Sequence, residues 1–245
     1  MEKIKLKTIL KVFNYTNMAE LDTHEPVESV KRKYYTDPKT KKDILIEETY
    51  YLDDKKHGQH TEWHENGQQW IKCTYKDDKK DGSYEQWYEN GQRWEKCTYK
   101  NDKKDKLSES WYENKQLYIK TAYKDDKKDG LSEWWYGNGQ QCERCTYKDD
   151  KNDGLYESWD KNGQLIVKCT YKDGKYDGLY ELWYSNGQPH IKCTYKDGKK
   201  DGLYEQWKKN GQQYKKCIYK DAIKNEKKIY KTIQIIINSE HRDKK

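Results

Sequence analysis

Three histidines lie close together near the start of a patterned region: His57, His60 and His64. Imidazoles are common metal ligands, so their spacing matters. On a strand, His60 and His64 are about 13 Å apart at roughly 3.3 Å per residue, too far to share one ion. His57 falls in the preceding turn. The expectation is three scattered, exposed histidines and no metal site. Cys142-x-x-Cys145 is a lone pair of cysteines whose side chains point to opposite faces of a strand, which argues against a shared metal or redox pair. The acidic turns, such as Asp173 to Gly178, have lysines between the acids and lack the spacing of an EF-hand loop. Glu85 and its copies are each matched to a basic residue, so no carboxylate pair is set up for acid–base work. No Ser, His and Asp elements form a nucleophile motif. No Gly-rich phosphate loop follows a strand and opens a helix. The residue types therefore point to a non-enzyme, with no catalytic, cofactor-binding or metal-ligating residue and no cofactor.

The elements that would position these residues come from a 24-residue period. Trp63, Trp87, Trp111, Trp135, Trp159, Trp183 and Trp207 keep it without a slip, as do Tyr75, Tyr99, Tyr123, Tyr147, Tyr171, Tyr195 and Tyr219. An unbroken period signals a repeat architecture. Each copy, for example Gly178 to Asp201, has two strand-like runs flanking Asn-Gly, a strong hairpin signal. A second turn, K-D-D-K-K-D-G or K-D-G-K-K-D-G, links each hairpin to the next. The predicted fold is all-β: an elongated antiparallel β-hairpin array, a solenoid-like meander with end caps. Seven repeats at about 9.6 Å each would span roughly 70 Å.

The pattern predicts a register. With Asn90 and Gly91 as the two central residues of the turn, both at positive φ, Trp87 faces Trp94, Glu85 faces Lys96 and Tyr84 faces Cys97. The same rule pairs Glu109–Lys120, Glu133–Arg144, Glu157–Lys168, Glu181–Lys192 and Glu205–Lys216, with Thr61–Lys72 breaking the row. It gives the tryptophans the partners Trp70, Trp94, Tyr118, Cys142, Ile166, His190 and Tyr214. Such cross-strand pairs contribute roughly 0.2–1 kcal/mol each. One face carries the Trp and Glu–Lys pairs, and the other carries Tyr84, Cys97, Tyr99 and their copies. Six of the seven cysteines share one repeat position and, at about 9.6 Å spacing, are expected to be reduced and partly buried. The third copy departs from the frame at Lys106, Lys115 and Thr121-Ala122.

Composition sets the limits. The chain is 38% charged and 32% hydrophobic, with 24 Tyr and 10 Trp, which suits a thin structure whose amphipathic aromatics supply the burial. Residues 49–221 hold 33 Lys and Arg against 31 Asp and Glu, and residues 222–245 hold 7 against 3. Interleaved signs without a basic face argue against nucleic acid as a partner. No apolar run reaches membrane-spanning length, and the N-terminus lacks the features of a signal peptide, so an intracellular, cytoplasmic location is expected.

Outside the array, residues 1–48 read as an N-terminal cap. Leu6, Ile9, Leu10 and Phe13 are spaced for a short amphipathic basic helix, followed by a degenerate hairpin over residues 27–52. The seven repeats occupy 49–221. Residues 222–245 read as a C-terminal cap strand, Lys228–Asn238, and a basic tail.

The recurring Tyr-Glu, Trp, Asn-Gly and Asp-Gly elements of residues 50–221 resemble the MORN repeat, more closely its variant form in bacterial and large-virus repeat proteins. The resemblance implies β-hairpin arrays that act as scaffolds or as protein-binding and membrane-associated modules. The chain lacks the Gly that follows Tyr-Glu in the standard motif, and its K-C-T-Y segment is its own. The function expected is a non-enzymatic scaffold for protein–protein interaction, with Trp87, Trp135, Trp183 and the Tyr rows as candidate contact stripes, although for most of these positions the first reading is that the rows are simply the core. A peripheral module for anionic membranes, using the termini, is the second reading, and a carbohydrate-binding array the third.

Overall fold

The computed structural model describes residues 8–12 and 27–225. They fall into two compact units, Met1–Lys127 and Lys128–Lys245. Among the described residues every regular element is a β-strand, paired antiparallel with its neighbours in sequence within each unit, except that β8 and β9 both pair with β7. The first unit holds β1 (Thr8–Val12), β2 (Glu28–Thr36), β3 (Asp43–Leu52), β4 (Lys55–Trp63) and β5 (Gln69–Lys76). It continues with β6 (Lys79–Trp87), β7 (Arg93–Lys100), β8 (Lys103–Lys104), β9 (Lys106–Trp111) and β10 (Leu117–Lys124). β11 (Lys127–Trp135) begins on the boundary. The second unit continues with β12 (Gln141–Lys148), β13 (Lys151–Trp159), β14 (Leu165–Lys172), β15 (Lys175–Trp183), β16 (Pro189–Lys196), β17 (Lys199–Trp207), β18 (Gln213–Lys220) and β19 (Ile223–Asn225). The fold is the predicted all-β array of hairpins.

The N-terminal helix is not found. Thr8–Val12 is a strand paired with β2, from Thr8 opposite Lys33 to Val12 opposite Ser29. Its apolar residues fit a helix spacing and a short strand equally well, and the edge of β2 offers a row of backbone partners that a helix would leave open. Leu6, Phe13, the cap strand at Lys228–Asn238 and the tail lie outside the described residues.

Away from the turns the predicted register holds. Glu85 faces Lys96 and Tyr84 faces Cys97. The next interface puts Tyr84 opposite Cys73, and Cys169 and Cys193 each lie between two tyrosines, whereas Cys145 faces Ser132. This arrangement makes a core on one face of the strands in each unit. Cys73, Cys97, Cys145, Cys169, Cys193 and Cys217 are all at most 3% exposed. Tyr84, Tyr75, Tyr99 and Ile71 close over Cys73 and Cys97, while Tyr180, Tyr195, Tyr204, Tyr219 and Ile191 close over Cys193 and Cys217. A small thiol leaves room for the neighbouring rings to lean inward, and edge-on ring pairs such as Tyr84–Tyr99 at 5.5 Å add to the burial. Lys80 lays its stem across the same rings, with its ammonium 4.9 Å from the Tyr84 centroid.

The two turns differ from the prediction. At Asn90-Gly91 only Gly91 has positive φ, at 77°. The Gly91 amide donates to Tyr88 O and the Tyr88 amide donates to Gln92 O. The loop is therefore three residues, Glu89 to Gly91, with Gly91 left-handed, and the strand behind it gains one residue. Trp87 now faces Arg93, not Trp94, and every copy shows the same slip: Trp63 faces Gln69, Trp159 faces Leu165 and Trp207 faces Gln213. The Asn90 side chain drives it, accepting the Gln92 amide at 2.9 Å. The two-residue turn with both φ positive is the other one. Asp77 and Asp78 have φ of 48° and 66°. Short polar side chains tolerate this region better than most, and Asp78 Oδ1 accepts the Lys56 amide of the preceding repeat at 2.8 Å.

The irregular third copy is a local break. Gly82, Gly154, Gly178 and Gly202 all have φ of 100–112°, and a Cβ there would collide with the hydroxyl of Thr74, Thr146, Thr170 and Thr194 respectively. Each of these hydroxyls donates to an aspartate carbonyl across the strand pair, as Thr74 does to Asp81 O. Lys106 replaces this glycine, takes φ 69°, and interrupts the strand between β8 and β9. Lys115 takes φ 70° and keeps the three-residue turn, its amide donating to Tyr112 O.

Candidate partner-binding surface

The expected chemistry-bearing residues are dispersed. His57 Nδ1 lies 3.6 Å from Asp77 Oδ1. His64 Nε2 lies 3.2 Å from Trp87 O. His60 is not exposed as expected. It is 3% exposed because it occupies the position of Tyr84 and joins the core column. Its Nδ1 is 2.7 Å from Thr49 Oγ1 and its Nε2 is 2.8 Å from Glu62 Oε1. Nε2–H donates to Glu62, and that bond holds the Glu62 carboxyl below its ordinary range. No group of three or more metal-ligating side chains gathers among the described residues. All seven cysteines are free, Cys145 buried and Cys142 half-buried. Burial pushes the Cys73 and Cys145 thiols up to about 11 and the Cys97 and Cys169 thiols up to about 12. A neutral, enclosed thiol is a packing group, not a nucleophile.

The opposite-charge row forms largely as predicted. Lys168–Glu157, Lys192–Glu181 and Lys216–Glu205 meet at 3.0, 2.9 and 3.0 Å, and Lys120–Glu109 at 3.4 Å. Glu85 instead takes Arg93 at 3.1 Å, the residue that the slip places beside it. Half-exposed pairs of this kind contribute at most about 1 kcal/mol each.

The repeat tryptophans, read as contact stripes or as core, are half-buried. Trp111, Trp159 and Trp207 accept the Tyr88, Tyr136 and Tyr184 hydroxyls of the preceding copy on their carbonyls, at 2.9, 3.0 and 2.9 Å. Arg93 covers the ring of Trp111 at 5.7 Å. Trp63, Trp87, Trp135 and Trp183 are likewise only half-exposed.

The slip exposes a different row. Trp70, Trp94 and Tyr118 are the extra residues behind three successive turns, and they are 38%, 41% and 40% exposed. Each is backed by a ring from its own turn: His64 at 5.8 Å, Tyr88 at 6.2 Å and Tyr112 at 4.9 Å. Equivalent positions on successive hairpins lie about 9.6 Å apart. The three rings form a stripe along the turn edge of the first unit, pre-positioned by the rings behind them. The sequence carried the needed signal, an Asn before the Gly that bonds two residues ahead, but a two-residue turn hides it by pairing Trp94 with Trp87.

At the start of the stripe lies a groove of about 790 Å³. Tyr35, Trp63, His64 and Trp70 line it, with Glu47, Glu62, Glu65 and Glu89 around them and Lys33 as its basic residue.

Comparison with known families finds five matches to the MORN repeat variant, at residues 56–77, 80–101, 128–149, 152–173 and 176–197. The gap between matches is the third copy, where Lys106 and Lys115 replace two glycines, and the last copy, beyond residue 197, is unmatched as well. No curated protein matches the chain.

Proposed function

As the chain belongs to the proteins built of the MORN repeat variant, we propose that it is a non-enzymatic scaffold that holds a protein partner along its turn edge. The observation that carries this reading is the exposed row Trp70, Trp94 and Tyr118, each ring held by a second ring. Aromatic side chains exposed in a fixed array bury large area at small entropic cost, which is what interface hot spots do. The membrane reading loses its helix, because Thr8–Val12 is a strand. The test is comparative partner capture with the wild-type chain and a Trp94→Ala/Tyr118→Ala variant, followed by direct binding of whatever is depleted. Loss of one or more partners of at least tenfold is expected from two hot-spot truncations of about 1–2 kcal/mol each. Identical capture by both proteins would refute the stripe as the docking surface.

A further inference from the structure

We infer that the groove at the start of the first unit takes a cationic side chain, lysine or arginine, from an extended segment of a protein partner. This rests on the scaffold reading and adds the chemistry of what is recognised. The walls are aromatic: Trp63, Trp70 and His64 line the groove. The charge around them is acidic. Glu47 and Glu62 sit directly opposite each other across β3 and β4. Like charges so placed oppose the pairing of their strands. At the same two rows the second unit has Val167 opposite Leu182 and Leu182 opposite Ile191, so the frame itself accepts apolar residues there.

Neutralisation within the protein is incomplete. Lys33 Nζ reaches Glu47 only at 4.0 Å, and Glu62 takes the His60 imidazole at 2.8 Å, with Lys56 and Lys33 acting on it without contact. Glu65 and Glu89 have no side-chain partner among the described residues. The lining thus counts four carboxylates against one lysine, beside Trp63 and Trp70. A guanidinium or ammonium on an apolar stem satisfies both features. Its charge answers the carboxylates and its face or methylenes stack on the rings. A groove of about 790 Å³ has room for the side chain and the flanking backbone.

The test uses the full chain and a fluorescein-labelled peptide of alternating Gly and Arg, with matched Gly–Gln and Gly–Glu peptides. Anisotropy should show the Arg peptide binding at least tenfold more tightly than the Gln peptide, with the affinity falling as salt rises. Glu65→Gln/Glu89→Gln, at two exposed turn positions, should weaken it about tenfold, and so should Trp70→Ala. Thermal melts of these variants should match the wild-type chain, which separates loss of the site from loss of the fold. Equal affinity for the Arg and Gln peptides, or no loss in the folded variants, would overturn the inference. Spermine binding more tightly than the peptide would assign the groove to a free polyamine and also overturn it. The two readings fail separately: Trp94→Ala/Tyr118→Ala leaves the groove intact, so it should keep the Arg peptide even as it loses partner protein.

Discussion

The first and second units are built on one 24-residue frame and use it differently. On the face that carries the cysteine column, the middle of the second unit is apolar. Val167, Leu182 and Ile191 run across it, and Tyr176 packs its ring 4.6 Å from Tyr171 and 5.2 Å from Tyr195. The corresponding rows of the first unit hold Glu47, Glu62, Ile71, Gln86 and Glu95, and the position of Tyr176 holds Lys56, Lys80 and Lys104. Lys104 and Ser108 both turn to Glu95, at 2.5 and 3.2 Å. The edge differs too. Where the first unit shows Trp70, Trp94 and Tyr118 in succession, the second has Cys142, Ile166 and His190 before an exposed ring returns at Tyr214. Backbone and surface are thus set by different residues. Tyr, Cys, Glu, Lys and the turn residues repeat and make the sheet. A few positions that do not repeat decide whether a face closes on itself or stays open.

That division can be tested from the shared column outward. The largest effect should be alkaline. The thiols of both units have pKa values raised by burial, to about 11 at Cys73 and Cys145 and about 12 at Cys97 and Cys169. An unfolded thiol ionises near 8.5, so the stability these groups supply is complete below that pH. It is lost as pH rises toward the folded values. Urea unfolding between pH 7 and 11 should show a steep fall in midpoint above about pH 9. Since both units carry the column, they should lose stability together, and an alkaline transition confined to one would break the comparison.

Next in size is Gly178→Ala in the second unit. It forces a side chain to φ 100° and into the Thr170 hydroxyl, which should destabilise by about 1–3 kcal/mol. The reverse change in the first unit, Lys106→Gly, should stabilise by about 1 kcal/mol and slow hydrogen exchange across β8 and β9. If Lys106→Gly destabilises, the break in the third copy is required there and not merely tolerated.

The smallest effect on stability is the sharpest for function. Glu47→Ile places in the first unit the residue that Ile71 already supplies one repeat later, and removes a like-charge pair. It should raise the unfolding free energy by roughly 0.2–1 kcal/mol while weakening the Arg peptide. A gain in stability with unchanged peptide binding would leave Glu47 without a part in recognition.

Most of the fold was legible because its rules are local. Alternation assigns the strands, the 24-residue period assigns the copies, and opposite charges across Glu109–Lys120 and its equivalents check the register. The exposed aromatic row was not legible. Whether Asn90 starts a two-residue or a three-residue loop changes the pairing of Trp87 by one place, and the nearby pattern fits both. His60 was misplaced for a related reason: its partners Thr49 and Glu62 are found only after the strands pair.

The sequence by itself determined the period, the hairpins, the buried cysteine column and the alternation of faces, since each follows from side-chain size and polarity at fixed spacing. Only the tertiary structure decided the turn type, the fate of the tryptophans and the exposed row. Those depend on bonds between one copy and the next: Asn66 Nδ2 to Glu89 O at 2.9 Å, and the Tyr88 hydroxyl to Trp111 O. Such bonds hold each turn against its neighbour, and they exist only when adjacent hairpins are stacked.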